Sequence, residues 1–321
     1  MIVRTFSIGA VLLAAACAST GGNAGGGDDS PGPDAPRPDA KVPGSDGTVA
    51  GAKPIIFTIV LENKNDESIL GSANAPYLNS LIAQGGLATN YKDTNHPSLP
   101  NYLHMISGAD QYPGVLDIGP NQFPYFPANQ PNLGTQLTAA NIPWRSYQES
   151  MGTPCSLSDV GRYATKHDPF IYFTDMQSGP NNLCATTNVD YTQFAADLAA
   201  NTYRYMWITP NLDDDGHDPT TDPVTGLRNA DTWMSHEVPK ILASDGFKAN
   251  GILLITWDED EGANNEKIPM IILSPRVKQA GMTLDTDFTH SSYLATIEDL
   301  LGLPRLATVT STASMMAFFN P

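Results

Sequence analysis

The sequence predicts an α/β fold in a single domain, with a mostly parallel central sheet and helices on both faces. Three observations predict it. Apolar, β-rich runs alternate with segments whose apolar residues recur at helical spacing. The strand-like runs are apolar almost throughout, as strands covered on both faces are. Three of those runs also end in clusters of oxygen-bearing side chains, at the sheet edge where open α/β folds bind ligands.

The chain begins with a segment that stands apart from the fold. "MIVRTFSIGAVLLAAAC" has one early Arg4, an apolar run too short to span a membrane, then small residues. Residues 1–17 therefore read as an export signal. The run from Leu13 to Cys17 resembles a bacterial lipoprotein cleavage site, with Cys17 as the lipidated residue. Ala14 stands where Leu is usual, so a plain signal peptide stays open. Residues 18–50 are dominated by Gly, Pro, Ser and Asp without hydrophobic periodicity. They cannot bury enough apolar surface to offset their ordering entropy, and they read as a flexible tether. The folded domain is then residues 51–321.

Within it the elements follow in order. Pro54–Asn63 ("PIIFTIVLEN") reads as a buried strand. Ala75–Gly86 has apolar residues at helical spacing and glycines at the C-cap. Leu99–Ser107 reads as a second helix, and Asn141–Ser150 and Arg204–Leu212 as strands. Asn229–Ser244 is a helix, Ile252–Trp257 and Ile268–Pro275 are buried strands. Ser291–Pro304 closes the series as a helix stopped by Gly302 and Pro304. The sequence has no internal repeat.

Composition narrows the function. The formal charge is −17, and three basic against five acidic residues before residue 51 leave −15 on the domain. Such a surface repels nucleic acid, which excludes that partner class, and suits a protein that holds multivalent cations. Of three cysteines, Cys17 lies in the leader, so in an exported chain Cys155 and Cys184 most simply form one disulfide.

The strand ends carry the chemistry. Pro54–Asn63 ends in Glu62 and Asn63, Arg204–Leu212 runs into "DDDGHD", and Ile252–Trp257 runs into Asp258, Glu259, Asp260 and Glu261. Adjacent carboxylates raise one another's pKa unless a cation sits among them, so a metal site explains them better than solvated loops do. Asp260 and Glu261 are expected to be solvated or to stand behind the ligands. Ser98, at the start of its helix and flanked by Pro97 and Pro100, has two readings. It is either a simple cap or a nucleophile beside a helix end that would hold a phosphate. By itself, the cap is the default.

The blocks "LENKNDESILG", "HPSLPNYLHMISG", "YATKHDPFIYF", "PNLDDDGHD", "TWDEDEG" and "THSSYLATIEDLLGLP" occur here in an order similar to that of the bacterial phosphoesterase family. That family contains secreted acid phosphatases and phospholipases C and has the alkaline-phosphatase-like fold. The likeness covers about residues 54–305 and is nearest to the short mycobacterial-type secreted acid phosphatases, which implies phosphatidylinositol 3-phosphate as a substrate candidate. The resemblance implies that Glu62, Asn63, Asp258 and Glu259 bind a divalent metal with Ser98, the nucleophile. Asp213, His217 and His290 would bind a second metal or phosphate. His167 would contact phosphate, and His96 would bind phosphate or protonate the leaving group. Each of these two histidines also has a structural reading. His104 is expected to pack, His236 to lie on the surface, and Lys166 to be solvated.

All-oxygen ligands favour Ca²⁺, Mg²⁺ or Mn²⁺, and added histidines admit Zn²⁺. The expectation is an exported, metal-dependent phosphatase of phosphate monoesters, lipid-anchored or secreted, with no protein partner. The alternatives are a phospholipase C acting on diesters and a non-catalytic cation-binding surface lipoprotein. The chain ends soon after its last motif, without the C-terminal β domains of the larger phospholipases, and this favours the monoester reading.

Overall fold

The computed structural model describes residues 53–109, 116–122, 130–177, 183–217, 222–262 and 267–320. The leader 1–17 with Cys17 and the tether 18–50 lie outside the described residues.

The strands are β1 (Ile55–Leu61), β2 (Gly86–Ala88), β3 (Tyr91–Lys92), β4 (Trp144–Gln148), β5 (Asn188–Asp190), β6 (Tyr205–Thr209), β7 (Gly251–Trp257), β8 (Met270–Leu273), β9 (Met282–Leu284) and β10 (Phe288–Thr289). Eight of them form one sheet in the order β5-β4-β6-β1-β7-β8-β2-β9, and β3 pairs separately with β10. Neighbours from β5 through to β7 run parallel. β8 is antiparallel to both β7 and β2, and β9 is parallel to β2. The mostly parallel α/β architecture is as the sequence predicts, with β8 its one reversed strand.

The helices are α1 (Asp66–Ile69), α2 (Pro76–Gln84), α3 (Ser98–Ser107), α4 (Leu133–Ala139), α5 (Thr174–Gln177), α6 (Leu183–Thr187), α7 (Phe194–Ala200), α8 (Pro223–Ala243), α9 (Asp245–Asn250) and α10 (His290–Leu301). Every residue of β1 and β7 is buried. Because successive side chains point to opposite faces, both faces of the central sheet are covered. That is why these strands read as unbroken apolar runs.

Helix ends follow local chemistry. Asp222 accepts the Thr225 amide to start α8, and Gly108 and Gly302 end α3 and α10 in left-handed conformations. Gly85 ends α2 differently, with φ −123°. Its glycine is required by space: a Cβ there would sit 2.1 Å from the Ile272 carbonyl oxygen of β8. Cys155 and Cys184 are disulfide-bonded, their Cα atoms 5.4 Å apart.

The topology sets the site. β1 and β7 run in register until Leu61 faces Trp257. One residue later the Asp258 amide donates to the Leu61 carbonyl at 3.0 Å, and the Glu62 amide donates to the Asp215 carbonyl, beyond β6, at 2.8 Å. The carboxyl ends of three strands thus meet at one edge.

Candidate active site

Glu62, fully buried, is the first residue past β1. Ser98 is the first residue of α3 rather than its cap, because Pro97 holds the N-cap position without a side-chain bond. Its hydroxyl is free for other work: Ser98 Oγ donates to Glu62 Oε2 at 3.0 Å and lies 3.4 Å from Glu259 Oε1. Asn101, one turn on, donates from Nδ2 to Glu259 Oε2 at 3.1 Å. It also gathers the preceding loop by accepting the Thr94 and Asn95 amides. The SLPN spacing puts Ser98 and Asn101 on the same helix face, a signal sequence reading missed.

Asn63 follows Glu62 with φ 29°, an uncommon conformation for a residue with a Cβ. Its amide N–H donates to Asp258 Oδ1 at 3.0 Å and its Nδ2 donates to Glu259 Oε1 at 2.6 Å. Asp258 and Glu259 are also buried. Glu62 Oε1, Asn63 Oδ1 and Asp258 Oδ2 are buried without a hydrogen-bond donor. Buried oxygens are rarely left so, and three hard donors at one edge fit a divalent cation.

The titration behaviour agrees with that fit. Burial pushes Asp258 well above the usual carboxylate range, and the charges of Glu62 and Glu259 add to it. Glu259 is pushed up to about 8 by burial and then by Glu62. Burial also raises Glu62, but His167 and Lys166 outweigh it and hold this carboxyl well below its usual range. Three buried carboxylates this close do not all ionise without a cation.

Two basic side chains close the site. His167 Nε2 lies 3.1 Å from Glu62 Oε1, without the alignment of a hydrogen bond, and its ring stacks on Tyr102 with centroids 5.3 Å apart. Lys166 is not simply solvated. Its Nζ donates to Ser98 Oγ at 3.4 Å and to Asp117 Oδ2 at 2.9 Å, and lies 3.9 Å from Glu62. Burial lowers its pKa, but Glu62 and Asp117 more than reverse that. Asp117 carried no sequence signal.

His96 stands half-exposed on the other side. Its Nδ1 lies 3.0 Å from Glu259 Oε2 and its Nε2 2.9 Å from Asp260 Oδ1. Of the two expectations for Asp260, solvated or standing behind the ligands, its burial excludes the first. Asp93, His96 and Asp260 bring one ligand atom each within 4.8 Å of one another, a nitrogen-and-oxygen set that could also take a cation. Glu261 faces outward and pairs with Lys64 at 3.2 Å.

The remaining expected residues border this edge or make contacts of their own. Asp213 is exposed and pairs with Arg162 at 2.8 Å, and the backbone N–H of His217 donates to Asp215 Oδ1 at 2.9 Å. Asp215 is the buried carboxylate of that run. His290, buried at the start of α10, donates from Nε2 to the Asp258 carbonyl at 2.6 Å and accepts from the Tyr91 hydroxyl at Nδ1, 3.0 Å away. The carbonyl can only accept, which sets the tautomer. Burial pushes this imidazole down to about 3. It braces a candidate ligand from behind. His104 is buried against Ser291, and His236 is exposed, as expected.

A helix end bearing Ser98, two basic side chains and a ring of buried oxygens meet at one sheet edge, and comparison with known proteins says what chemistry such an edge serves. The Phosphoesterase family model matches residues 68–304. The chain belongs to that family. Phosphatidylinositol-3-phosphatase of Mycobacterium tuberculosis is 28% identical over 273 residues, covering 83% of this chain and 83% of the relative. A probable acid phosphatase of Kluyveromyces lactis is 30% identical over 273 residues, 81% of this chain but only 61% of that longer protein. A solved alkaline phosphatase superfamily protein from Vibrio parahaemolyticus shares the fold at a TM-score of 0.58 and 12% identity, covering 85% of this chain and 71% of its own. This Phosphoesterase member is a hydrolase of phosphoric ester bonds with the alkaline-phosphatase-like fold that the sequence predicts.

Proposed function

We propose that the chain is an exported, metal-dependent phosphatase that cleaves phosphate monoesters, phosphoinositides among the candidates, through a phosphoserine on Ser98. The observation that carries this reading is the Ser98 hydroxyl, 3.0 Å from Glu62 and beside buried oxygens that lack partners. Glu62, Asn63, Asp258 and Glu259, with Ser98, would hold the cation. Bound there, it would neutralise phosphate charge and lower the pKa of a coordinated hydroxyl.

The side chains supply the rest. Glu62 Oε2 orients the hydroxyl and accepts its proton. Because Glu62 is held low it is a weak base, but a dissociative phosphoryl transfer asks little of one. Lys166 faces the charge on the transferring group. The Ser98 oxygen bonds to phosphorus as the ester P–O bond breaks and the leaving oxygen takes a proton from solvent. Water then attacks phosphorus, Ser98 recovers its proton from Glu62 and phosphate leaves. His96 could give the departing proton only by opening one of its two carboxylate contacts.

The leader and tether support export, and the Cys155–Cys184 disulfide suits an oxidising compartment. With Cys17 lipidated, the domain would work at a membrane surface. Among the described residues no helix is long and apolar enough to cross one.

The test strips the purified chain with chelator and resupplies single divalent cations. Hydrolysis of p-nitrophenyl phosphate, phosphatidylinositol 3-phosphate and a phosphocholine diester is then compared. Cation-restored monoester cleavage is expected. Preference for the diester would make the enzyme a phospholipase C, and bound cation without turnover would leave a cation-binding protein.

A further inference from the structure

The first-turn amide of α3, which the nucleophile reading of Ser98 would offer to a phosphate, is already used by a side chain of the protein. Pro97 at the N-cap offers no side-chain oxygen. Instead the Leu99 amide donates to Asp117 Oδ1, from 18 residues along the chain, at 2.9 Å. The other oxygen, Oδ2, accepts from Lys166 Nζ, also at 2.9 Å. Lys166 Nζ in turn is 3.4 Å from Ser98 Oγ, and Leu99 is the next residue to it. One carboxylate thus bridges a helix N-terminal amide and a lysine beside the nucleophile. A phosphate offering two oxygens to the same place would use those donors. Behind it the segment is pinned, because Tyr172 donates to the Ile118 carbonyl at 2.8 Å.

We infer that Asp117 is a built-in occupant of the phosphate seat, one that the phosphate of substrate or product must displace. The inference rests on Ser98 being the nucleophile of the proposed reaction. The exchange is an anion for an anion on donors that stay in place, and no covalent bond changes. Observed phosphate affinity is the intrinsic affinity reduced by the fraction of molecules whose seat is open. Asp117 therefore weakens substrate and product binding alike, and speeds release of inorganic phosphate at the expense of a higher KM. Its carboxylate is 28% exposed and Lys166 is 24% exposed, so the pair is partly screened and displaceable.

Asp117→Asn tests this, since the amide oxygen can still accept from Leu99 while the competing charge is gone. Inorganic phosphate is the probe, titrated by calorimetry onto the full chain and its Asp117→Asn and Asp117→Ala variants, each also carrying Ser98→Ala, with the activating cation present. In chains retaining Ser98, KM and kcat for p-nitrophenyl phosphate and inhibition by phosphate are measured. The expected result is phosphate binding about three- to tenfold tighter in Asp117→Asn, KM falling by the same factor and kcat not rising. Unchanged or weaker phosphate binding in an Asp117→Asn protein of unchanged melting temperature overturns the inference and leaves Asp117 a helix brace. Absent turnover in the unsubstituted chain would instead overturn the proposed reaction, with the calorimetric titration still deciding who holds the seat.

Discussion

At the scale of the residue, a change at Ser98 tests the proposed catalysis apart from the proposed cation holding. In the proposed site four other side chains would supply oxygens at the strand ends, so removing the hydroxyl would subtract one donor and the proposed nucleophile together. Ser98→Ala is expected to cut turnover by about three orders of magnitude or more. Cation affinity should fall far less, and thermal unfolding should stay within about 2 °C. Steady-state kinetics, cation titration and a melting curve on one preparation check all three, and equal activity in the variant would sink the phosphoserine reading. His290 belongs to this scale too. It sits behind Asp258, where a residue reached by likeness alone gives no hint that its ring faces a carbonyl rather than a ligand.

At the scale of the element, close approaches decide what is tolerated. Gly85→Ala would drive a methyl group into the Ile272 carbonyl of β8, a backbone atom that cannot swing aside. Denaturant unfolding should show a loss of about 2–4 kcal/mol, well beyond the ordinary preference for Gly at a helix end. α10 makes a pH-dependent prediction. Glu298 Oε1 accepts the Leu306 amide, while Glu298 Oε2 and Gln136 Oε1 are buried acceptors without a donor. Burial raises the Glu298 carboxyl despite that backbone amide. A carboxyl raised on folding binds its proton more tightly in the native state. Its contribution is therefore complete below the unfolded pKa of about 4.3 and is lost as pH rises through the folded value. Glu298→Gln, which keeps an acceptor and adds a donor, should match the parent near pH 4. It should become the more stable protein by about 1 kcal/mol toward neutral pH, read by urea unfolding at each pH.

Legibility follows the same physics. β1, β7 and the long helices were plain because full burial demands apolar residues at every strand position or along a helical stripe. β2, β3, β9 and β10 span two or three residues each, too few to show a period. Glu62, Asn63, Asp258 and Glu259 were marked by their place after long apolar strands. Nothing in "DDDGHD" or "DEDE" says which carboxylate turns inward, so Asp215 and Asp260 emerge only when the backbone does. Lys166 comes from a short 3₁₀ turn and Asp117 from a loop, and their partners lie 68 and 18 residues away.

At the scale of the whole molecule, the Cys155–Cys184 disulfide and the eight-stranded sheet tie distant segments of the described residues together. The Cys155–Cys184 bond closes a separation of 29 residues, and losing it should cost about 3 kcal/mol through the freedom returned to the unfolded chain. Melting with and without a reductant measures that directly, and a shift in the reduced protein is expected. The in-phase ending of β1 and β7 has a further consequence. Seven consecutive register pairs tie the segments that deliver Glu62 and Asp258, in the middle of an eight-stranded sheet. Amide protons there should be among the last to exchange with deuterated solvent, opening only when the entire domain does. The floor of the site is then as durable as the protein itself. No partly unfolded form can keep it, and heat inactivation should follow the loss of the sheet in a single step.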